Sequence, residues 1–203
     1  MAHSFFGGVF PATRKESTRR KALSKLSRPP RQVFIPLSMC ADGPSTPVVR
    51  PGEQVSLGQI IARRGDTGAA THASVSGRVV AIQEHPHPWG GSSPTIVIEN
   101  DGENTPWDRR PAPLEPQDVD LDLLLARVEE AGIVGMRGGA FPTWEKLSRA
   151  AGLVDTLIVN AAECEPYVTA DHRLLLERSE RILRGANVLA RCLGAQRAVI
   201  VTE

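Results

Sequence analysis

The spacing of the apolar residues changes once along the chain, at a proline-rich stretch between residues 105 and 117. Before this stretch, short runs rich in valine and isoleucine alternate with Pro-Gly, Ser-Gly and Asp-Gly pairs, a pattern typical of β-strands joined by tight turns. After it, apolar residues recur at helical spacing. The change predicts two structural parts, an all-β part followed by an α/β part.

Four segments follow from this pattern. Residues 1–32 are predicted to be an extended arm, residues 33–104 an all-β domain, residues 105–117 a linker, and residues 118–203 part of an α/β domain. Basic residues are frequent in the arm, but Glu, Ser and Pro interrupt them. We therefore expect the arm to lie along a partner or along the chain's own surface, rather than to form a specific anion site.

Composition excludes several classes of function. Apolar residues make up 41% of the chain, and 24 basic residues balance 23 acidic ones, so the composition is that of a soluble globular protein and does not indicate nucleic-acid binding. We find no run long enough to span a membrane and no secretory signal, which predicts a cytoplasmic chain that contacts membranes only through partners.

Metal ligands are also too few. Cys40, Cys164 and Cys192 lie far apart, so they predict reduced thiols rather than a disulfide framework, a zinc site or an iron–sulfur ligand set. The stretch "HPHPWGG" at residues 85–91 has two histidines, but each precedes a proline and a third ligand is missing nearby. We predict a loop there and no metal site.

The β-rich part has the order of strands and turns of one particular architecture. The stretches "VVRPGEQVSLGQIIARRG" and "THASVSGRVVAI" resemble the flattened barrel-sandwich of biotinyl and lipoyl carrier domains. Gly52, Gly58 and Gly77 are expected to take positive φ or tightly packed positions where the hairpin folds over. Carrier domains present a lysine at the hairpin tip, and "GDTGAATHA" contains none. The stretch predicts a barrel-sandwich hybrid that is neither biotinylated nor lipoylated.

The second part predicts a crossover unit. A helix is expected over residues 118–132, ended by Gly132, followed later by a strand at 155–160, a long helix over about 171–192, and a final strand in "RAVIVTE". Strand, helix and strand in this order form part of a parallel α/β sheet. The binding site of such a sheet lies beyond the carboxyl ends of its strands.

A glycine-rich loop in "GMRGGAFPTWEKL", residues 135–147, precedes a predicted helix. Gly135, Gly138 and Gly139 leave backbone amides uncovered, the helix N-terminus carries partial positive charge, and Lys146 adds a full one. Such a loop can bind a phosphate. The glycines equally well permit tight packing of the helix, because a lone glycine loop is weak evidence for a ligand.

Polar side chains follow the predicted strand in "NAAECEP". Asn160 offers an amide, and Glu163 and Glu165 offer carboxylates. Together with the glycine loop they suit a ligand with a phosphate at one end and polar edges at the other, such as flavin mononucleotide (FMN) or a nicotinamide nucleotide. The alternative is that both acids are solvated loop residues.

Several stretches together point to one family. "GIVGMRGGAFPTWEKL" and "LIVNAAECEPYVTADHRLLLER", with "FFGGVFP" and "HPHPWGGSSPTIVIENDGE", closely resemble the C subunit of Rnf-type ion-translocating electron-transport complexes over nearly the whole chain. More distantly, they resemble the NADH-binding subunit of respiratory complex I and the cobalamin reductase of propanediol microcompartments. A barrel-sandwich ahead of the flavin domain favours the Rnf subunit.

The resemblance implies a peripheral subunit at the cytoplasmic face of the inner membrane, with other subunits of the complex as partners. Such a subunit transfers electrons between NADH and FMN and on to iron–sulfur carriers, coupled to ion translocation. Because the cofactors carry this chemistry, no catalytic side chain is expected. The family's [4Fe-4S] clusters belong to a C-terminal part, for which this chain has no ligand set.

The resemblance also assigns roles to individual residues. FMN is expected to contact Gly135, Gly138, Gly139, Lys146, Asn160 and Glu163, and the nicotinamide nucleotide to contact Phe141 and Glu165. The family usually has glycine at the position of Arg137, so the loop here is expected to close differently.

The family continues beyond the second strand of the α/β domain, so we expect this chain to be a fragment or a truncated product. Two alternatives remain open. One is a non-catalytic docking or assembly module with an empty flavin domain, and the other is a flavoprotein like cobalamin reductase.

Overall fold

A computed structural model describes residues 12–25, 28–39, 43–65, 69–136 and 139–202. By their internal contacts these residues form two compact units. We call residues 26–151 the barrel unit, and residues up to 25 together with those from 152 onward the crossover unit. The proline-rich stretch at 105–117 lies inside the barrel unit. The boundaries of the four predicted segments rest on sequence pattern and not on contacts, and they stay a prediction.

Two antiparallel sheets make up the first part of the barrel unit. Their strands are β1 (Gln32–Pro36), β2 (Thr46–Pro47), β3 (Gln54–Val55), β4 (Ile60–Arg63), β5 (Thr71–His72), β6 (Gly77–Pro86) and β7 (Ser92–Asn100). One sheet has the strand order β1-β7-β6-β3 and the other has the order β2-β4-β5.

One apolar core receives side chains from both sheets. Ile61 of β4 lies in one sheet, whereas Val79 of β6 and Ile98 of β7 lie in the other, and all three are fully buried. Val79 and Ile98 are also paired across the strands. Branched side chains fit such a pleated and buried surface, and their burial is the main source of its stability. Two sheets around one core are the barrel-sandwich arrangement that the sequence predicts.

The predicted turn glycines have the expected backbone. Gly52, Gly58 and Gly77 have φ values of 95°, 83° and 148°, which confirms their positive φ. Residues with a β-carbon rarely adopt these angles. At Gly77 the local packing adds a second constraint, because the carbonyl of Glu99 lies where a β-carbon would be.

The strands vary more in length than the short apolar runs of the sequence indicate. β6 and β7 have ten and nine residues, whereas β2, β3 and β5 have two each. His85 and Pro86, which we assigned to a loop, continue β6 and pair with Ser93 and Ser92. The Phe34 ring meets the His85 ring edge-on at 4.8 Å. Cross-strand pairing of this kind extends the hairpin beyond the segment that residue preferences alone indicate.

Two helices complete the barrel unit, α1 (Leu121–Glu130) and α2 (Thr143–Ala150), both near their predicted places. Asp120 caps α1, since its carboxylate accepts from the Leu123 amide at 2.8 Å. Gly132, with φ of 65°, ends the helix. The amides of Gly132 and Ile133 bond to the carbonyls of Glu129 and Val128, the two bonds of a Schellman motif.

The crossover unit contains β8 (Thr156–Ala161), α3 (Ala170–Glu177), α4 (Ser179–Leu193) and β9 (Arg197–Thr202). β8 and β9 pair in parallel along their whole length, as predicted. The single helix predicted over 171–192 is wrong, because Arg178 has φ of −135° and separates α3 from α4. A helix breaker is absent at this position, and the apolar spacing continues across the bend, so neither signal marks it.

Residues 12–25 of the basic arm belong to the crossover unit, whereas Pro30 and Arg31 accept hydrogen bonds from Asn100 in the barrel unit. The Thr13 carbonyl accepts from the Tyr167 amide at 2.8 Å, and the Leu23 amide donates to the Glu177 carboxylate at 3.0 Å. The arm therefore follows the chain's own surface, which is one of the two arrangements that the sequence predicts.

Candidate functional site

The glycine loop lies in the barrel unit and is closed at its base. The Gly135 amide donates to the Phe141 carbonyl at 2.9 Å, and the Thr143 amide donates to the Ile133 carbonyl at 3.0 Å. These bonds fold the segment back on itself immediately before α2. Gly138 and Arg137 lie outside the described residues.

This closure limits which amides can meet a phosphate. The Gly135 amide, which we predicted to contact the cofactor, is already bonded inside the loop. A backbone amide has one hydrogen to donate, so the other amides of the loop would have to supply such contacts. The role of Gly135 toward a cofactor stays a prediction, as do those of Gly138 and Gly139.

Side chains around the loop carry both charge and aromatic surface. Lys146 is exposed on α2, and Phe141 is half-buried with the Arg149 guanidinium 5.8 Å from the centre of its ring. The indole Nε1 of Trp144 is buried and has no hydrogen-bond partner in the part of the chain that the structure describes. Buried donors are normally paired, so a donor of this kind suits an acceptor brought by a ligand. Sequence reasoning missed Trp144, since an aromatic residue in a helix is usually interpreted as core.

The strand-end residues lie in the crossover unit. Asn160 and Glu165 are exposed, and the Asn160 side-chain oxygen accepts from the Ala162 amide at 3.1 Å. Glu163 differs from both, because only 4% of it is exposed. The eight predicted site residues thus fall into two sets, one in each unit.

Glu163 caps helix α3. Its two carboxylate oxygens accept from the amides of Asp171 and His172 at 2.9 and 3.2 Å. These amides belong to the second and third residues of the helix, which would otherwise lack partners. The residue directly before the helix, Thr169, makes no side-chain cap. Lys15 of the arm donates to the Glu163 main-chain carbonyl, so the residue also joins the arm to the strand end.

We expect Glu163→Ala to lower the free energy of unfolding by about 1–2 kcal/mol, because two amides of α3 lose a charged acceptor. Urea denaturation without added cofactor would measure this. Glu165→Ala is the matched control and should stay within about 0.5 kcal/mol of wild type. If Glu163→Gln keeps full stability but loses FMN binding, the carboxylate serves the cofactor instead of the helix.

Metal binding finds no support in the described residues. They contain no group of three or more His, Cys, Asp or Glu side chains arranged to hold an ion. Neither Cys164 nor Cys192 forms a disulfide within the described residues, and Cys40 lies outside them.

Two family models match the chain. The "RnfC Barrel sandwich hybrid domain" matches residues 3–103, and the "Nuo51 FMN-binding domain" matches residues 128–203. The chain therefore combines a barrel-sandwich hybrid domain with a region that matches an FMN-binding domain, the fold class that the sequence predicts.

Three relatives extend this likeness over nearly the whole chain. The C subunit of the Na⁺-translocating ferredoxin:NAD⁺ oxidoreductase complex of Acetobacterium woodii is 39% identical over 98% of this chain and 45% of the relative. Its counterpart in the proton-translocating complex of Clostridium ljungdahlii is 38% identical over 100% of this chain and 45% of the relative. The C subunit of the ion-translocating oxidoreductase complex of Rhodobacter capsulatus is 39% identical over 98% of this chain and 39% of the relative.

The chain belongs to the family of Rnf-type C subunits. It spans less than half the length of the relatives described above. Within the described residues, the helices are too short or too polar to cross a membrane.

Proposed function

We propose that this chain forms the FMN-binding region of a C subunit that transfers electrons between NADH and FMN and on to iron–sulfur carriers, within an ion-translocating complex. The observation that carries the proposal is the match of residues 128–203 to an FMN-binding domain, which includes both the glycine loop and the strand end. The buried donor of Trp144 beside that loop agrees with a ligand acceptor there.

The donor set of the loop fits a flavin phosphate. Lys146 offers a charge, Trp144 offers an indole N–H, and the loop offers amides beyond that of Gly135. Asn160 would bind a polar edge of the flavin ring through its amide. When bound, FMN supplies two-electron exchange with NADH and one-electron exchange with the clusters.

The nicotinamide nucleotide would meet Phe141 and Glu165. Phe141 would offer an aromatic face to the nicotinamide ring, so that orientation rather than proton transfer would be the contribution of the protein. The [4Fe-4S] clusters, the other subunits and a peripheral place at the cytoplasmic face of the membrane are parts of the proposal that concern the whole complex.

A docking or assembly module is the second candidate. Two of the predicted site groups are satisfied without any cofactor, since the Gly135 amide bonds to Phe141 and the Glu163 carboxylate caps α3. A flavoprotein like cobalamin reductase is favoured less, because residues 3–103 match the RnfC barrel-sandwich model.

Flavin binding separates the candidates. We expect the purified chain to bind FMN, and Gly138→Leu to abolish binding because its side chain would occupy the space of the phosphate. Lys146→Ala should weaken binding by roughly 10- to 150-fold, since it removes one charge-assisted contact of about 1.5–3 kcal/mol. Quenching of FMN fluorescence and the absorbance spectrum of the chain measure both.

A matched control is Gly185→Leu, where the added side chain meets open space on α4. It should bind FMN as wild type does. If wild type, Gly138→Leu and Lys146→Ala all fail to bind, also in a chain extended at its C-terminus, the docking module is the better conclusion. Arg137→Gly is a separate test of how the loop closes. Weaker FMN binding than in wild type would indicate that Arg137 clamps the phosphate, and stronger binding would indicate that Arg137 blocks the loop.

A further inference from the structure

A cavity of about 800 Å³ lies in the crossover unit, at the carboxyl edge of its parallel strands. Ala161 and Thr202, the last residues of β8 and β9, both line it. The other walls come from α3 and from the basic arm. Because parallel strands leave a crevice at this edge, it is the usual ligand position of an α/β sheet.

Basic side chains dominate the charge around this cavity. The arm contributes Lys15, Arg19 and Arg20, and α3 contributes Arg173. The lining also has two acidic residues, Glu16 and Glu163, but the Glu163 carboxylate is already bonded to two amides of α3. The balance favours an anionic ligand.

Two of the four cations are already engaged. Lys15 donates to the Glu163 carbonyl, and the Arg173 guanidinium donates to the Glu177 carboxylate at 2.5 and 3.0 Å. Arg19 and Arg20 are exposed, and within the described residues neither guanidinium takes part in an ion pair. These two side chains can therefore turn toward a ligand without breaking an ion pair.

One wall of the cavity is apolar. Leu175 and Leu176 of α3 line it, and Leu176 is 60% exposed although it is a large aliphatic residue. A flat ring can cover such a surface, while a free phosphate cannot use it. Arginine binds phosphate oxygens through two parallel N–H bonds. Cations and an apolar wall together suit a nucleotide.

The arm is held by groups other than these two arginine side chains. Thr18 Oγ1 donates to the Tyr167 carbonyl at 2.8 Å, and the Leu23 amide donates to Glu177. Hydrogen bonds from Arg173 and from the Leu23 amide hold the pKa of the Glu177 carboxyl below its ordinary value. Replacement of Arg19 and Arg20 should therefore leave the arm in place.

We propose that Arg19 and Arg20 of the arm bind the phosphate groups of a nucleotide in this cavity. The sequence favours a solvated segment over an anion site for the arm. Under this proposal the arm is part of the nucleotide-binding surface. The inference rests on the proposed function only for the identity of the nucleotide. The two candidates are FMN and a nicotinamide nucleotide, and both contain a phosphate ester.

Two probes distinguish these sources in the full chain. ADP has the diphosphate of a nicotinamide nucleotide without the nicotinamide, and FMN has a single phosphate on a flavin. Titration calorimetry with ADP and fluorescence quenching with FMN would compare wild type, Arg19→Ala/Arg20→Ala, and the matched control Lys21→Ala/Lys25→Ala. The control removes the same charge from the same arm, but neither lysine lines the cavity.

We expect the arginine variant to weaken binding of at least one probe by about tenfold or more, while the lysine variant stays within about twofold. An effect on ADP alone assigns the site to the nicotinamide nucleotide. An effect on FMN assigns it to the flavin and contradicts the placement of the flavin phosphate at the glycine loop. Equal effects of both variants, or none, would overturn the inference. If the chain binds FMN equally well with and without the two arginines, the proposed function stands. If the chain binds ADP through the arginines but does not bind FMN, only the proposed function is contradicted.

Discussion

Replacement of Gly77 by alanine is expected to remove most of the stability of the barrel-sandwich. A β-carbon at this position would lie 1.9 Å from the Glu99 carbonyl oxygen and 2.9 Å from its carbon. Both atoms belong to the backbone of β7, which pairs with β6 from Gly77 to Pro86, so they cannot move without breaking the ladder. The φ of 148° adds strain for any residue with a β-carbon.

We estimate a loss of about 3–5 kcal/mol for Gly77→Ala, from backbone strain and overpacking together. Thermal and urea unfolding of the purified chain would measure it. Gly52→Ala is the matched control, since Gly52 also has positive φ but its nearest atom is a mobile Arg78 nitrogen at 3.9 Å. Only the conformational cost of roughly 1–2 kcal/mol is expected there. Equal losses in both variants would show that the contact with Glu99 carries no weight.

The second large effect is expected at Gly132, where α1 ends against the barrel-sandwich. An added β-carbon would lie 2.0 Å from the Ala70 carbonyl oxygen and 3.2 Å from the His72 ring. The ring cannot yield easily, because it is half-buried and bonds to the main-chain carbonyl of Glu130, and burial lowers the pKa of this histidine. Gly132→Ala should therefore force the helix end away from the sheet.

We expect Gly132→Ala to cost roughly 2–5 kcal/mol, the sum of a left-handed conformation and an overpacked contact. Gly194→Ala is a close control. Gly194 ends α4 in the same Schellman motif with φ of 76°, but nothing lies within 4 Å of its added β-carbon. The difference between the two unfolding free energies isolates the contact with Ala70, and a difference near zero would contradict this account. Because the glycine loop begins three residues after Gly132, FMN binding should fall as well.

Much of the fold could be predicted because its signals are local. The apolar spacing over residues 118–132 predicts α1, and Gly132 predicts its end, since a left-handed stop acts within one turn. The cap at Asp120, which sets the start of the helix, came from the structure. The apolar run at residues 155–160 predicts a strand from its own composition, and β8 is Thr156–Ala161. The break at Arg178 could not be predicted in this way, because the residue has an ordinary helical propensity and the apolar spacing continues on both sides.

For the candidate site, the sequence predicts residue types but not their contacts. Gly135 and Glu163 were expected to face a ligand, yet the structure pairs the first with Phe141 and the second with the amides of α3. Sequence spacing shows which groups lie near one another along the chain. It does not show which donor each acceptor meets, because a competing partner inside the fold is equally near.

By itself, the sequence determined the order of strands and helices, the positive-φ glycines and the membership of the family, since each depends on residues close together or on a pattern that needs no coordinates. Only the tertiary structure decided where the arm lies, how far β6 and β7 extend, and that Glu163 caps a helix. These depend on pairs far apart in the chain, such as Lys15 and Glu163, which are 148 residues apart. The free energy of such a contact includes the entropic cost of closing the chain between its two partners. No local sequence pattern therefore encodes it.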